Sequence, residues 1–333
     1  MNLKRLGLAT LTVAALALSG CAASADSADP KSTGGSGETL VIYSTESTMP
    51  EFAERFETET GITLQVISVS SGQGDARVAA EKDNPQADVA ISGSNPADTN
   101  PDLYRPFEGA VDVSNVDERW IRGDYSIPTI LNSVIFATNT EVLDGRDAPT
   151  SWEDLGDPQW KGEIAIADPT QSGSAFNALA AVYAAGGWPL VEKFASNVVI
   201  SQSSLGPIQA LSNGEAAIGI GAENSVYQVA DGTDIVAAYP TDGIVVNVGM
   251  FYLLANSNNE EAANAFMEWM LSTDTQTWME AEHKGMRSTT TNSTSPSGMP
   301  ALSTLNIIDV PADVLEDKAA FLDEWTEILT SVG

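Results

Sequence analysis

The 333-residue sequence holds one cysteine and one histidine. A single cysteine rules out an internal disulfide framework and multi-cysteine metal clusters, and His283 alone leaves no H-E-x-x-H or other paired-histidine motif. Cations are scarce as well: 15 Lys and Arg against 46 Asp and Glu give a formal net charge of −31, which repels phosphate backbones and argues against a nucleic-acid partner. The carboxylates are scattered through the chain and form no tail, a pattern of solubility or adaptation to salt. No apolar run after residue 21 is long enough to cross a bilayer. Signatures of catalysis are missing too. No G-x-S-x-G surrounds a serine that His283 would activate, and there is no complete G-x-G-x-x-G and no Walker-type phosphate loop. The abundant carboxylates single out no glycosidase pair.

The amino terminus is informative. Residues 1–20 carry Lys4 and Arg5, then an apolar stretch over residues 6–18 that is too short for a stable membrane span and is followed by small residues, as export signals are. The run Leu18-Ser19-Gly20-Cys21 resembles a bacterial lipobox, in which cleavage before the cysteine leaves it terminal and lipid-modified. That resemblance implies a chain that begins at Cys21 and is held to the outer face of the cell membrane by lipid. Residues 21–38, rich in Ser, Gly and Asp, read as the lipidated cysteine and a flexible tether. About 310 residues then remain, more than one core usually holds, and two packed lobes are expected.

From residue 39 the pattern alternates. Residues 39–44 (TLVIYS) read as a buried strand, Pro50 opens a helix with Phe52 and Phe56 on one face, and Gly61 stops it. A strand over residues 62–68, a helix over about 73–82 and a short strand over 87–91 follow, in the βαβ order that implies a mainly parallel sheet covered on both faces. The order returns with a strand at 162–167, a helix at about 174–185, a strand near 197–200, a helix at about 207–213 and a strand at 216–221. Two long apolar extended stretches, residues 125–139 and 243–256, are placed to cross between lobes as hinge strands. Helices at about 260–271 and 274–282 follow, with His283 in a polar setting at the end of the second. A last amphipathic helix over 312–331 offers Leu315, Phe321, Leu322, Trp325 and Leu329 for packing.

Short hydroxyl- and glycine-rich loops stand at the ends of these strands: Ser44-Thr45-Glu46-Ser47, Ser70-Ser71-Gly72, Ser92-Gly93-Ser94, the run from Asp168 through Thr170, Ser172, Gly173 and Ser174, and Ser201-Gln202-Ser203-Ser204. Ligands of α/β sheets bind at the carboxyl ends of strands, and helix N-termini favour anionic atoms there. Each hydroxyl has the plainer use of capping its own helix, worth about 1 kcal/mol. Five such loops at equivalent strand ends point to a cleft.

The stretch from Trp152 to Thr170 (WEDLGDPQWKGEIAIADPT), with Gly173-Ser174-Ala175-Phe176-Asn177 and the run from Asn213 to Ile220, resembles a signature of extracellular solute-binding proteins of ABC importers, in the branch that binds ferric iron, phosphonates or sugar phosphates. The similarity covers residues 39 to about 287. It implies an α/β, two-lobed periplasmic-binding-protein-like fold of type II, each lobe a mainly parallel sheet flanked by helices. The lobes, residues 39–130 plus 247–290 and residues 131–246 plus 291–333, would be joined by hinge strands. It further implies a monomer that closes on a small-molecule solute and delivers it to a membrane permease, with no chemistry and no cofactor of its own.

The iron binders of this branch carry an adjacent tyrosine pair after the strand that matches residues 216–221; here the stretch is Ala222-Glu223-Asn224-Ser225-Val226-Tyr227, with one tyrosine. An oxyanion-bearing solute, a phosphonate or phosphate ester, suits the loops better, with Ser44, Thr45, Ser71, Gly72, Ser94, Thr170, Ser172, Gly173, Ser174, Ser203, Ser204, Glu223 and Tyr227 as candidate contacts. Arg77 and Arg287 are available to add positive charge. Two alternatives stay open within the class: ferric iron, or a cationic or zwitterionic solute such as a polyamine, thiamine or an aminophosphonate held by Glu46, Glu223 or Asp242 with Tyr227 or Tyr252. A secreted α/β hydrolase is the alternative from another class.

Overall fold

A computed structural model describes residues 39–92, 95–293 and 295–332; the expected export signal, Cys21, the expected tether and Ser94 lie outside the described residues. The chain opens with β1 (Thr39–Ser44), α1 (Met49–Thr60), β2 (Thr63–Ser68), α2 (Ser71–Ala80) and β3 (Val89–Ser92). Local chemistry sets these bounds. Pro50 sits in the first turn of α1, where its missing N–H is no loss, and Gly61 ends the helix at φ 76°, its N–H donating to Glu57 O. At α2 the Ser70 hydroxyl accepts from Gln73 N while the Gln73 side chain accepts from Ser70 N, a capping box that starts the helix two residues before the sequence suggests.

After the two-residue β4 (Tyr104–Arg105) comes β5 (Ser126–Asn139), whose 14 residues make it more than twice a usual strand. The chain continues with β6 (Ile164–Ala167), α3 (Gly173–Ala195), β7 (Val198–Ser201), α4 (Gly206–Ser212), β8 (Ile218–Ala222), α5 (Glu223–Ala230), β9 (Ile235–Ala238) and β10 (Val246–Leu254). It closes with α6 (Glu260–Leu271), α7 (Thr273–Glu282), β11 (Arg287–Ser288), α8 (Ala312–Glu316) and α9 (Lys318–Val332).

One curled sheet runs β2-β1-β3-β10-β5-β8-β6-β7, with β4 on β10 and β9 and β11 on β5. The outer strands are parallel, β1 with β2 and β3, β6 with β7 and β8; β10 and β5 are antiparallel to each other and to their neighbours. Up to Ser133, β5 pairs with β10 and β11; from Val134 onward it pairs with β8 and β9. A single strand thus belongs to both halves of a two-lobed α/β molecule. β10 carries a register shift between Gly249 and Met250, opposite Ile130 and Pro128, on the first-lobe side of that crossing.

Each lobe has apolar clusters on both sheet faces. In the first lobe Phe52, Phe56, Phe251, Phe266 and Met267 pack under α1, α6 and α7, with Tyr43, Tyr104 and Tyr252 on the other face. In the second, Trp152, Trp160, Phe176, Phe194 and Trp325 lie under α3 and α9, with Ile135, Ile208, Leu211 and Val226 opposite. Two helices depart from their sequence-based bounds. α3 does not end near 185: it breaks at Gly187 (φ 63°, ψ −165°) and resumes to Ala195 because Leu190, Val191 and Phe194 bury in the same core. The carboxyl-terminal helix is two helices, interrupted at Asp317, and Leu315 is 61 % exposed rather than packed, whereas Phe321, Trp325 and Ile328 carry the contact.

Candidate functional site

The site begins on the two strands that join the lobes. Side chains two apart on a strand share a face, so Asn247 and Gly249 of β10 point the same way. Asn132 and Ile130 of β5 stand opposite them in register. From the first lobe, the β1–α1 loop brings Glu46 over this face: its Oε1 lies 3.9 Å from where a Cβ on Gly249 would sit. Glycine at 249 keeps that space open. From the second lobe, Asn177 of α3 donates its amide N–H to Asn247 Oδ1.

One helical turn back from Asn177, three hydroxyls converge at the start of α3. Ser172 Oγ and Ser174 Oγ are 3.1 Å apart, and the Ser204 hydroxyl, arriving from the loop after β7, donates to Ser172 Oγ at 3.2 Å. Ser172 also caps α3, accepting from Ala175 N at 3.4 Å. The cluster therefore sits where α3 presents unsatisfied N–H groups and the positive end of its dipole. Neighbouring loop hydroxyls are exposed and bonded within their own loops. Thr170 bonds Asp168 Oδ1 through both its N–H and its hydroxyl, at 2.9 and 2.7 Å, and Ser203 Oγ accepts from Gly206 N at 3.0 Å.

Glu46 is the distinctive charge on this face of the hinge strands. Its carboxylate has no hydrogen bond or ion pair with any described residue, and burial pushes its pKa above the ordinary carboxylate value. Its own N–H is tied to Ser44 Oγ at 3.0 Å, and Ser44 donates back to Glu46 O at 3.3 Å, so the Ser44 hydroxyl serves the loop. Asn132 Oδ1 is likewise buried without a hydrogen-bond partner. Thr45 is half-buried at this loop, and Gly72, on the first turn of α2, is exposed.

The other expected contacts group elsewhere. Glu223, completely buried at the start of α5, receives both nitrogens of a forked pair from Arg287 of β11: Nε to Oε2 at 2.9 Å and Nη2 to Oε1 at 2.8 Å. The Tyr239 hydroxyl also donates to Glu223 Oε1, and Tyr227 lies 3.1 Å from Tyr239, hydroxyl to hydroxyl. Burial first, then the Glu223 charge, drives the Tyr239 pKa far upward. Glu223 and Arg287 thus neutralise one another, and neither is the open charge that the sequence suggests. Arg77 is engaged too, 4.4 Å over the Tyr43 ring and 3.4 Å from Glu81. Asp242 accepts from the backbone of Trp152 and Glu153, and Tyr252 donates to Asn95.

Beside the ion pair lies a cavity of about 270 Å³, lined among others by Thr48, Asn224, Tyr227, Gln228, His283 and Lys284. Lys284 bridges to Asp231 at 2.5 Å. His283 has a polar side and an aromatic side: Nε2, without a hydrogen-bond partner, lies 3.8 Å from Glu51 Oε2, while the ring stacks on Phe52 at 5.3 Å and meets the edge of Trp278 at 5.0 Å. Burial lowers its pKa. Among the described residues no three His, Cys, Asp or Glu side chains gather as a metal site.

The sequence profile of the bacterial extracellular solute-binding proteins matches residues 40–287. The chain belongs to this family. As a solute-binding protein it is the substrate-binding component of an ABC transporter and works outside the cytoplasm, and its fold is the type II periplasmic-binding-protein fold. A Salmonella typhimurium protein assigned by name to 2-aminoethylphosphonate binding is 29 % identical over 48 % of each chain. The spermidine/putrescine-binding periplasmic protein of Escherichia coli is 25 % identical over 79 % of each. The structure of the periplasmic binding protein AfuA from Actinobacillus pleuropneumoniae, with fructose-6-phosphate bound, superposes with a TM-score of 0.74 at 26 % identity, over 89 % of this solute-binding protein and 99 % of AfuA. Asn132, Asn177 and Asn247 were not among the candidates from sequence. Their signal was present nonetheless, as isolated amides within apolar strand and helix runs.

Proposed function

We propose that this solute-binding protein captures a phosphonate, a phosphate ester or another solute with a terminal oxyanion, and that it does so between its lobes. The observation that carries the reading is the convergence of Ser172, Ser174 and Ser204 at the α3 N-terminus. Hydroxyls and helix N–H groups hold an oxyanion without a cation, which suits a crevice whose nearby arginines are already paired. The strongly acidic surface does not oppose this, since distant charges are screened beyond about 8 Å at physiological salt. In this reading the lobes, residues 39–130 with 247–290 and 131–246 with 291–333, close by bending at β5 and β10. The loaded protein, tethered through a lipid on Cys21 and acting as a monomer, then meets its permease.

The comparisons lend the reading support, because two of the three proteins named above are associated with phosphorus oxyanions. Ferric iron is less favoured, since Tyr227 is engaged by Tyr239. The test is a thermal melt of the purified protein with inorganic phosphate, aminoethylphosphonate, a hexose phosphate, putrescine and ferric ion. A ligand held only by the folded state stabilises it by RT ln(1 + [L]/Kd), about 2.7 kcal/mol at a hundredfold excess over Kd. A saturable rise with a phosphorus oxyanion is expected. A rise with ferric ion alone, or with no oxyanion, would overturn the proposal.

A further inference from the structure

The crevice has two chemically opposite ends. At the α3 N-terminus it presents donors: the three serine hydroxyls and free helix N–H groups. At the β1–α1 loop it presents acceptors. Glu46 turns an unpaired carboxylate toward Gly249, and Asn132 Oδ1, one side-chain step along the paired strands, is buried with no partner. Between the two ends, Asn177 and Asn247 are bonded to each other and tie α3 to the hinge strand.

A half-buried carboxylate with no donor among the described residues is costly by itself, and such a group is normally matched by one. Cations of the elements named above are engaged elsewhere. Arg287 is paired with Glu223, Lys284 with Asp231 and Arg77 with Glu81. The group that completes this end must therefore come with the solute. We infer that Glu46 is a receptor for a primary ammonium group, so that the solute is a zwitterion with an oxyanion at one end and an amine at the other.

Charge, not length, selects the solute: a donor end and a carboxylate end match an aminoalkyl phosphonate or phosphate ester, and not a polyamine, which has no anion, or a sugar phosphate without an amine. The absence of a side chain at 249 leaves room for the amine's methylene next to the carboxylate.

This inference rests on the oxyanion reading above, and its test separates the two. Calorimetric titration of the purified protein compares aminoethylphosphonate, propylphosphonate, in which a methyl replaces the ammonium, and putrescine. The same three are titrated into Glu46→Gln. The expected result is that aminoethylphosphonate binds on the order of 10- to 100-fold more tightly than propylphosphonate, as a charge-assisted hydrogen bond allows, and that the preference vanishes in E46Q. Equal binding of the two phosphonates to the unaltered protein would overturn the ammonium site and leave the oxyanion reading standing. This comparison needs no variant and holds even if E46Q folds poorly. A preference that survives in E46Q would overturn the role of Glu46. Glu46-dependent binding of putrescine with no phosphonate binding would keep the ammonium site and overturn the oxyanion end.

Discussion

Replacing Arg287 with methionine keeps most of the side-chain volume and removes the charge that Glu223 depends on. Glu223 is completely buried and Arg287 is 1 % exposed, so water cannot replace the lost guanidinium. The carboxylate would keep only the Tyr239 hydroxyl, and the Pro300 carbonyl would lose its Nη1 donor at 2.9 Å. Breaking one side of a buried pair costs about 3–5 kcal/mol, because an uncompensated charge stays behind. For a folded region of this size, about 2 °C of melting temperature goes with each kcal/mol, so scanning calorimetry of Arg287→Met should show a fall of about 6–10 °C. Converting the partner as well, in Glu223→Leu with Arg287→Met, removes the stranded charge and should recover most of the loss. A single variant that loses less than about 1 kcal/mol, or a double variant no better than the single, would refute the view that this pair is a desolvated link between β11 and α5.

Three further outcomes follow from the same geometry. Glu46→Gln should melt higher than the parent without ligand at neutral pH: burial holds the folded carboxyl above 4.5, so ionisation removes stability as pH rises through that raised value, and glutamine has no such loss. The gap should close below about pH 4.5 in a melting series, and a lower neutral melting temperature for Glu46→Gln would contradict it. His283 works in the other direction. Burial depresses its folded pKa below 6.5, the unfolded chain takes up the proton first, and stability is full above that pH and declines as pH falls through it. His283→Gln should flatten this limb in urea titrations, although Glu51 and Glu282 temper it by favouring the charged ring; identical acid slopes would refute the assignment. Gly285→Ala should lose about 2–4 kcal/mol in chemical denaturation, because φ is +90° and an added Cβ would lie 2.3 Å from the Asn224 backbone.

Much of this arrangement is legible in the chain. The hinge strands announce themselves as apolar extended runs longer than any other, and helix starts at Pro50 and Ser70 follow from capping chemistry. Ser172, Ser174 and Ser204 are named by their place at strand ends, and the fold brings the three together. What stayed hidden depends on distant partners. Nothing near Glu223 in the sequence reveals that Arg287, 64 residues later, will occupy it, and β9, β11 and β4 are too short to show a period of their own. The ring that stacks on His283 comes from Phe52, far earlier in the chain, so the local polar context shows only half of its surroundings. Leu315 has the spacing of a core residue, but with the helix interrupted at Asp317 it is Val314 that packs on the core and Leu315 that is left outside.

The most direct test of the account is a calorimetric titration of aminoethylphosphonate into the protein and into Ser172→Ala with Ser204→Ala. The account predicts saturable one-to-one binding, weakened in the double variant by about 1–3 kcal/mol through lost hydrogen bonds, with an unchanged melting temperature within about 2 °C. Equal affinity in the two proteins would contradict the claim that the serine cluster at α3 is where this solute-binding protein holds its ligand.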